Sequence, residues 1–258
     1  MIALTHPMPM SRTLAVYTLE IRLELVRLLR MPAFALPMFL LPVATYLLFA
    51  FAVAGEAVAK DPDAGRFMFA GFSVMAVTMA ALFATCPNLA MEREQGLLTL
   101  KRAQPAPPGA WLTAKIVAGV VCGALAYLPI LVLAAVTGQA HLSASQLAAM
   151  SAMLMVGTLP FCALGVMLGS LTSGSAAPAY ANLAYLPGLY LSGVFFPLPK
   201  SMHFQTVFWP HFHLDQLVFA AGGVDKFRWI APEMAAAALL GFTVLCSGVA
   251  LHRLKRRG

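Results

Sequence analysis

Charge is what this 258-residue chain has least of: 10% of its residues are Asp, Glu, Lys or Arg, with 17 bases against 10 acids. At 60% hydrophobic residues and a mean hydropathy of +0.81, there is too little polar side chain to cover a soluble core. The four cysteines (Cys86, Cys122, Cys162 and Cys246) lack CxxC or other metal-ligand spacing and fall within or at the ends of apolar runs. They read as small packing residues and hold no metal. No GxxxxGK[ST] loop occurs, which excludes P-loop ATP hydrolysis by this chain, and no HExxH, GxSxG or EF-hand pattern occurs either. A secretory signal peptide is not evident, because the first apolar run follows a basic amphipathic stretch and is long enough to span a bilayer. Tandem repeats, low-complexity tracts and a linker to a second domain are also missing.

What is present is apolar length. A hydrocarbon core of about 30 Å needs roughly 20 apolar helical residues. Six runs meet that: 33–54, 67–86, 116–137, 147–169, 176–197 and 231–251. The expectation is an all-α membrane protein of six transmembrane helices, with residues 1–258 as a single transmembrane domain. Placing the N-terminus in the cytoplasm puts twelve bases inside, including Arg12, Arg22, Arg27, Arg30, Arg93, Lys101, Arg102, Lys115 and the C-terminal cluster. Only Lys60, Arg66, Lys200, Lys226 and Arg228 are then outside, so both termini are expected to be cytoplasmic. The net charge of +7 is thereby explained by basic flanks against anionic lipid headgroups, without nucleic acid.

Residues 11–30 put Leu14, Ile21, Leu25, Leu28 and Leu29 on one helical face and Arg12, Glu20, Glu24, Arg27 and Arg30 on the other. That is the pattern of an interfacial amphipathic helix, either a simple anchor or one that also touches a partner protein. Pro37, Pro42, Pro129, Pro160, Pro178 and Pro187 lie inside spans and mark places where helices can kink. Small residues in "GTLPFCALGVMLGS" would permit close helix approach. The segment 198–230 is too apolar for a solvated loop, and it is interrupted by Trp209, Pro210, His211, His213 and Asp215. A pair of half-helices over 204–221, dipping into the membrane and returning, fits that composition. His211 and His213 are poor metal ligands, since HxH on a helix directs the two rings to nearly opposite faces. Glu233, near the end of the last span, either snorkels to the interface or faces a protein interior.

The stretch "MEREQGLLTLKRAQPAPPG", residues 91–109, crowds acids, bases and prolines between two apolar runs. Good helix formers from about 88 to 102, with Glu92 and Glu94 early and Lys101 and Arg102 late, suit the helix dipole. Pro105, Pro107 and Pro108 then stop the helix. A short cytoplasmic helix clipped between spans two and three could act as a lever, and Leu97, Leu98 and Leu100 give it apolar surface to be gripped.

The run "EREQGLLTLKRAQPAPPGAWLTAK" resembles the cytoplasmic loop between the second and third spans of ABC type-2 exporter permeases. "ELVRLLRMPAFALPMFLLP", "NLAYLPGLYLSGVFFPLPKSM" and "WPHFHLDQL" are similar to that family's interfacial helix, fifth span and outer half-helices. The similarity runs over nearly the whole chain. It implies a dimer, homo- or heteromeric, in the inner membrane, paired with separate ABC ATPase subunits that carry the ATP and Mg. Residues 88–102 would be the coupling helix, marked by Glu92, Arg93, Glu94 and Gly96, with Glu24, Arg27 and Arg30 nearby. Asn182, Tyr185 and Ser192 would lie near the dimer axis and the export path for a drug, lipid or polysaccharide-type substrate.

Two other classes are weighed beside this. An ion-coupled secondary transporter requires ionisable residues near the midplane, and the spans hold almost none. An intramembrane serine hydrolase would use Ser192, but the glycine preceding it lies at 188 rather than in a GxSG setting, and His252 falls at the edge of the last span.

Overall fold

The computed structural model describes the backbone of residues 9–104, 106–107 and 109–257. Pro105 and Pro108, expected to stop the helix at 88–102, lie outside the described residues, as do the side chains of Arg102 and Arg257. Backbone polar groups facing lipid must be paired within their own segment, and helices achieve this locally. All regular structure among the described residues is accordingly helical.

The order is α1 (Met10–Leu29), α2 (Pro32–Leu47, continued by a π-helical turn Leu48–Val53), α3 (Gly55–Lys60), α4 (Pro62–Glu94) and α5 (Leu97–Ala103). Then follow α6 (Ala110–Thr137), α7 (Ala144–Leu171), α8 (Ala177–Leu191), α9 (His203–Thr206), α10 (Pro210–Gly222) and α11 (Pro232–Arg257). Local chemistry sets several of these limits. Asp61 caps α4 by accepting from the Asp63 N–H at 2.9 Å, with Pro62 preorganised at the first position. Ser143 and Gln146 form a reciprocal capping box at the start of α7.

Among the described residues, five helices are long and apolar enough to cross a membrane: Pro32–Val53, Pro62–Glu94, Ala110–Thr137, Ala144–Leu171 and Pro232–Arg256. The run 176–197, expected as a sixth span, behaves differently. Its helix α8 has 15 residues and rises about 22 Å, short of a hydrocarbon core. It ends because the backbone turns at Gly193, where φ is +82°, although the apolar sequence continues through Phe195 and Phe196.

The helix expected over 88–102 is also divided. Helix α4 continues past Pro87 to Glu94, since the turns around that proline are packed inside the bundle, with Cys86, Asn88, Leu89 and Ala90 buried. The chain then reverses at Gly96, φ +71°, and only Leu97–Ala103 forms a separate helix. The half-helices expected over 204–221 correspond to the four-residue α9 and the thirteen-residue α10, which together run one residue further at each end and are broken at Trp209 before Pro210.

Helix α4 is the axle of the bundle and packs against α7, α6, α2 and α8. Close approach to α7 depends on two glycines one turn apart. A Cβ at Gly165 would lie 1.9 Å from Thr85 Oγ1, and one at Gly169 would lie 2.6 Å from the Cys86 carbonyl oxygen. All four cysteines are buried and unbonded to one another. At the end of the bundle away from α5, Lys226 lies 3.1 Å from Asp63 and 3.6 Å from Asp61, and Arg66 donates to the His141 carbonyl.

Helix α1 has the expected limits, but its faces are mixed: Ile21 and Leu25 are half-buried, and Arg12 and Arg30 are exposed. Leu14, Leu19, Leu23, Val26 and Leu29 are exposed, while Glu24 and Leu28 are buried against the bundle. Glu24 turns inward because it meets Lys115 and Arg27 there.

Candidate functional site

Those bases come from elements far apart in sequence. Lys115 sits on the second turn of α6, inside the apolar stretch "AWLTAKIVAG", and is 1% exposed. A lysine there must find a counter-charge within the protein. Its Nζ lies 2.9 Å from Glu24 Oε1 of α1 and 2.9 Å from Glu92 Oε2 on the last turn of α4. Arg27, one turn beyond Glu24, reaches Glu24 Oε1 at 2.9 Å with Nη2 and meets Glu92 Oε1 with Nη1. Two carboxylates and two cations thus share one enclosed site. Their charges cancel, which is the condition for burying any of them. The cluster joins α1, α4 and α6 at a single point.

The next two residues of α4 fasten a different joint. The Arg93 guanidinium donates to the carbonyls of Ser170 and Thr172, at the end of α7. These are among the acceptors that a helix C-terminus leaves without intrahelical partners. Glu94 Oε2 accepts from the Gly174 N–H at 2.8 Å. Glu92, Arg93 and Glu94 therefore all engage partners inside this chain, on the last turn of α4 rather than on a separate coupling helix.

Beyond the Gly96 reversal, two contacts among the described residues help to hold α5. Leu98 is buried among Leu89, Val166, Ala250 and Leu254, and Lys101 Nζ lies 2.9 Å from Glu20 Oε2 of α1. Thr99, Leu100, Ala103 and Gln104 face outward, with Leu100 62% exposed. Arg30 is exposed just past the end of α1 and stands outside the charge cluster. Of the residues singled out from sequence, Glu24, Arg27 and Glu92 come together, Arg93 and Glu94 form the neighbouring joint, Gly96 is the turn, and Arg30 is apart. Lys115, Glu20 and Lys101 are the members of the network that the sequence reading named but did not assign to the site. The signal for Lys115 was its position: a cation set five residues into an apolar helix.

A second feature lies along one side of the bundle, between α2 and α8 with α4 as its floor. Two adjoining cavities of about 550 and 190 Å³ share Leu41, Met79, Phe83 and Asn182. Tyr185 lines the smaller one, and its hydroxyl donates to the Met75 carbonyl at 3.0 Å. Ser192 is not part of this groove. It lines a separate space of about 10 Å³ with Asp215 and Gln216, and its hydroxyl donates to the Leu189 carbonyl, an ordinary bond at a helix end.

Helix α10 is enclosed along most of its length. His211 packs between the rings of Phe161 and Tyr185, His213 Nε2 is 2.8 Å from the Val207 carbonyl, and Gln216 bonds the backbone at Phe227 and Trp229. Among the described residues, the His211 ring nitrogens and Asp215 Oδ1 have no hydrogen-bond partner. No group of three His, Cys, Asp or Glu residues suited to a metal ion occurs among the described residues. Glu233 is exposed in the first turn of α11.

With this geometry in place, the comparisons with known proteins can be set beside it. The family model described as "ABC-2 type transporter" matches residues 17–213, a range that holds the charge cluster, α5 and the groove. The protein described as "Putative transport permease YvfS" from Bacillus subtilis (strain 168) is 23% identical over 212 residues, covering 81% of this chain and 84% of that protein.

Proposed function

Because the chain belongs to the ABC-2 type transporter family, we propose that it is the membrane-spanning permease subunit of an ATP-driven exporter. A separate ABC ATPase subunit binds ATP and Mg and hydrolyses the nucleotide. Both termini, α1 and α5 lie on the cytoplasmic side of the inner membrane, in keeping with the basic residues concentrated there. Two permease chains, identical or different, assemble with their α2–α8 grooves facing the shared export path, and Asn182 and Tyr185 line its wall.

The observation that carries this reading is the construction of α5. It is tied into the bundle by Leu98 and Lys101 while presenting Leu100 outward beside Thr99 and Ala103. An ATPase gripping that surface would move α5. Through Gly96 and the charge cluster, the movement would reach α4, α1 and α6 together. Glu92, Arg93, Glu94, Glu24 and Arg27 then serve coupling as positioning residues that keep the receiving surface attached to the spans. Gly96 supplies the reversal that places α5 against them.

The test is reconstitution of the chain with an ABC ATPase subunit from the same cell. The purified permease alone is expected to hydrolyse no ATP. Leu100→Glu is expected to abolish ATPase association and ATP-driven transport while leaving thermal stability unchanged. Transport by the permease alone on a proton gradient, or full coupling by the Leu100→Glu variant, would overturn the reading.

A further inference from the structure

A carboxylate enclosed away from water needs hydrogen-bond donors or a cation to stay ionised. Asp215, on the second turn of α10, is 4% exposed, and among the described residues its Oδ1 has no hydrogen-bond partner. The elements packed around α10 offer it no cation. Helices α7 and α8 contain no charged residue, and their Cys162 thiol and Tyr185 hydroxyl donate to the Ile116 and Met75 carbonyls. At the start of α4, Arg66 pairs with Asp63; in the turn after α10, Lys226 binds Asp61 and Asp63, and Arg228 pairs with Asp225. Glu233 of α11 is exposed. On α10 itself, His211 packs between Phe161 and Tyr185, and His213 directs Nε2 to the Val207 carbonyl, while His203 of α9 directs its own to the Leu198 carbonyl. Asp215 is therefore kept as the neutral acid, with a proton in place of a counter-ion.

Its enclosure is a seam between two helices. Helices α8 and α10 run in register: a Cβ at Gly188 would lie 2.7 Å from His211 Nδ1, and one turn on, Ser192 and Asp215 line the same space of about 10 Å³. That space holds about one water. The Ser192 hydroxyl donates to the Leu189 carbonyl of α8 itself, and among the described residues no hydrogen bond or ion pair links α8 to α10. The seam parts without breaking a polar bond, and water then reaches Asp215. The acid's O–H bond breaks, its proton passing to water and its electron pair staying on the carboxylate. The ionised side chain is not enclosed again until a proton returns.

We infer that the seam between α8 and α10 is a proton-binding site: Asp215 holds one proton while the seam is closed and releases it to water when the seam opens. Alkaline medium on the side to which the seam opens favours the parted form, and acidic medium the closed one. Assigning that side to the exterior rests on the permease reading, whereas the proton site does not.

Two measurements on the full-length protein test this. The first follows the unfolding midpoint of detergent-solubilised wild type and Asp215→Asn by tryptophan fluorescence from about pH 5 to about pH 7. An aspartate in the unfolded chain is ionised above about pH 4 while the folded one keeps its proton, so wild type loses stability as pH rises and the variant lacks that loss. The gap between their midpoints is expected to widen by about 3–5 °C per pH unit, all other groups being common to both. The second needs no change at Asp215 and reads opening itself. Ser192→Cys in nanodiscs is labelled with a charged methanethiosulfonate, relative to Lys200→Cys on the exposed turn before α9. The ratio is expected to rise by up to about tenfold per pH unit, and to lose that dependence when Asp215→Asn is added. Parallel midpoint profiles for wild type and variant overturn the inference, as does a labelling ratio with the same pH dependence in both backgrounds. Stabilisation of wild type, and not of Asp215→Asn, by sodium over choline at fixed pH also overturns it, making a metal cation the occupant. Neither ATP nor an ATPase enters either measurement, so failure here is distinct from failure of coupling at α5.

Discussion

Replacing Lys115 by methionine is the most direct challenge to the buried charge cluster. The substitution keeps the length of the side chain and removes its charge, leaving Glu24 and Glu92 to share Arg27 alone. The Lys115 side chain is 0% exposed and the two carboxylates are 6% and 3% exposed, so water does not replace the lost cation, and Arg27, at 35%, is too solvated to offset it fully. Breaking a buried ion pair by removing one partner costs about 3–5 kcal/mol. At about 2–4 °C per kcal/mol for a chain of this size, the midpoint of unfolding should fall by roughly 10 °C. The four buried cysteines provide the readout, since a thiol-reactive dye reports their exposure as detergent-solubilised protein is heated. Adding Glu92→Gln to Lys115→Met removes the surplus negative charge and should recover part of the loss. A shift below about 2 °C for the single variant, or a double variant no more stable than the single one, would refute the reasoning.

Two further outcomes follow from the packing. Gly165→Leu puts a branched side chain where even a Cβ meets Thr85 Oγ1 and the Leu82 carbonyl, so α4 and α7 cannot close. The variant is expected to yield little monodisperse protein by size-exclusion chromatography, whereas Leu171→Ala, at an exposed position on the same helix, should behave as wild type. Asp215→Asn keeps the shape of a side chain whose Oδ1 has no hydrogen-bond partner, and should leave the unfolding midpoint unchanged or raise it; a drop of several degrees would mean that the carboxylate has a partner it needs.

The long apolar runs were legible because lipid demands them, and α1, with limits at Met10–Leu29, was legible from its periodicity. Helix ends were not. Hydropathy falls after Cys86, yet α4 continues for two more turns because those turns are covered by protein rather than lipid. The reverse error arose at α8, where apolar sequence outlasts the helix that Gly193 ends. The charges in "ERE" read as suiting a helix dipole, not as internal joints, since their partners stand far along the chain: Glu94 meets Gly174 80 residues away, and Glu24 meets Lys115 91 residues away. The same distance hid the burial of Glu24 on α1, which reads as part of a polar face until the buried lysine is known. Asn182 and Tyr185 could be picked from the apolar run as its polar members, but their position in a groove depends on α2 and α4.

Within thirteen residues, from Glu92 to Gln104, this chain separates two tasks that the sequence interleaves. One set of side chains is spent on holding the protein together, and another is left free. Thr99, Leu100, Ala103 and Gln104 face outward and make no side-chain hydrogen bond or ion pair among the described residues, so they form a small replaceable tile. Exchanging them for the corresponding residues of a related permease should redirect the chain to that permease's ATPase without altering its fold. The same graft extended to Glu92, Arg93 or Glu94 should fail, for those residues are part of the frame and not of the tile.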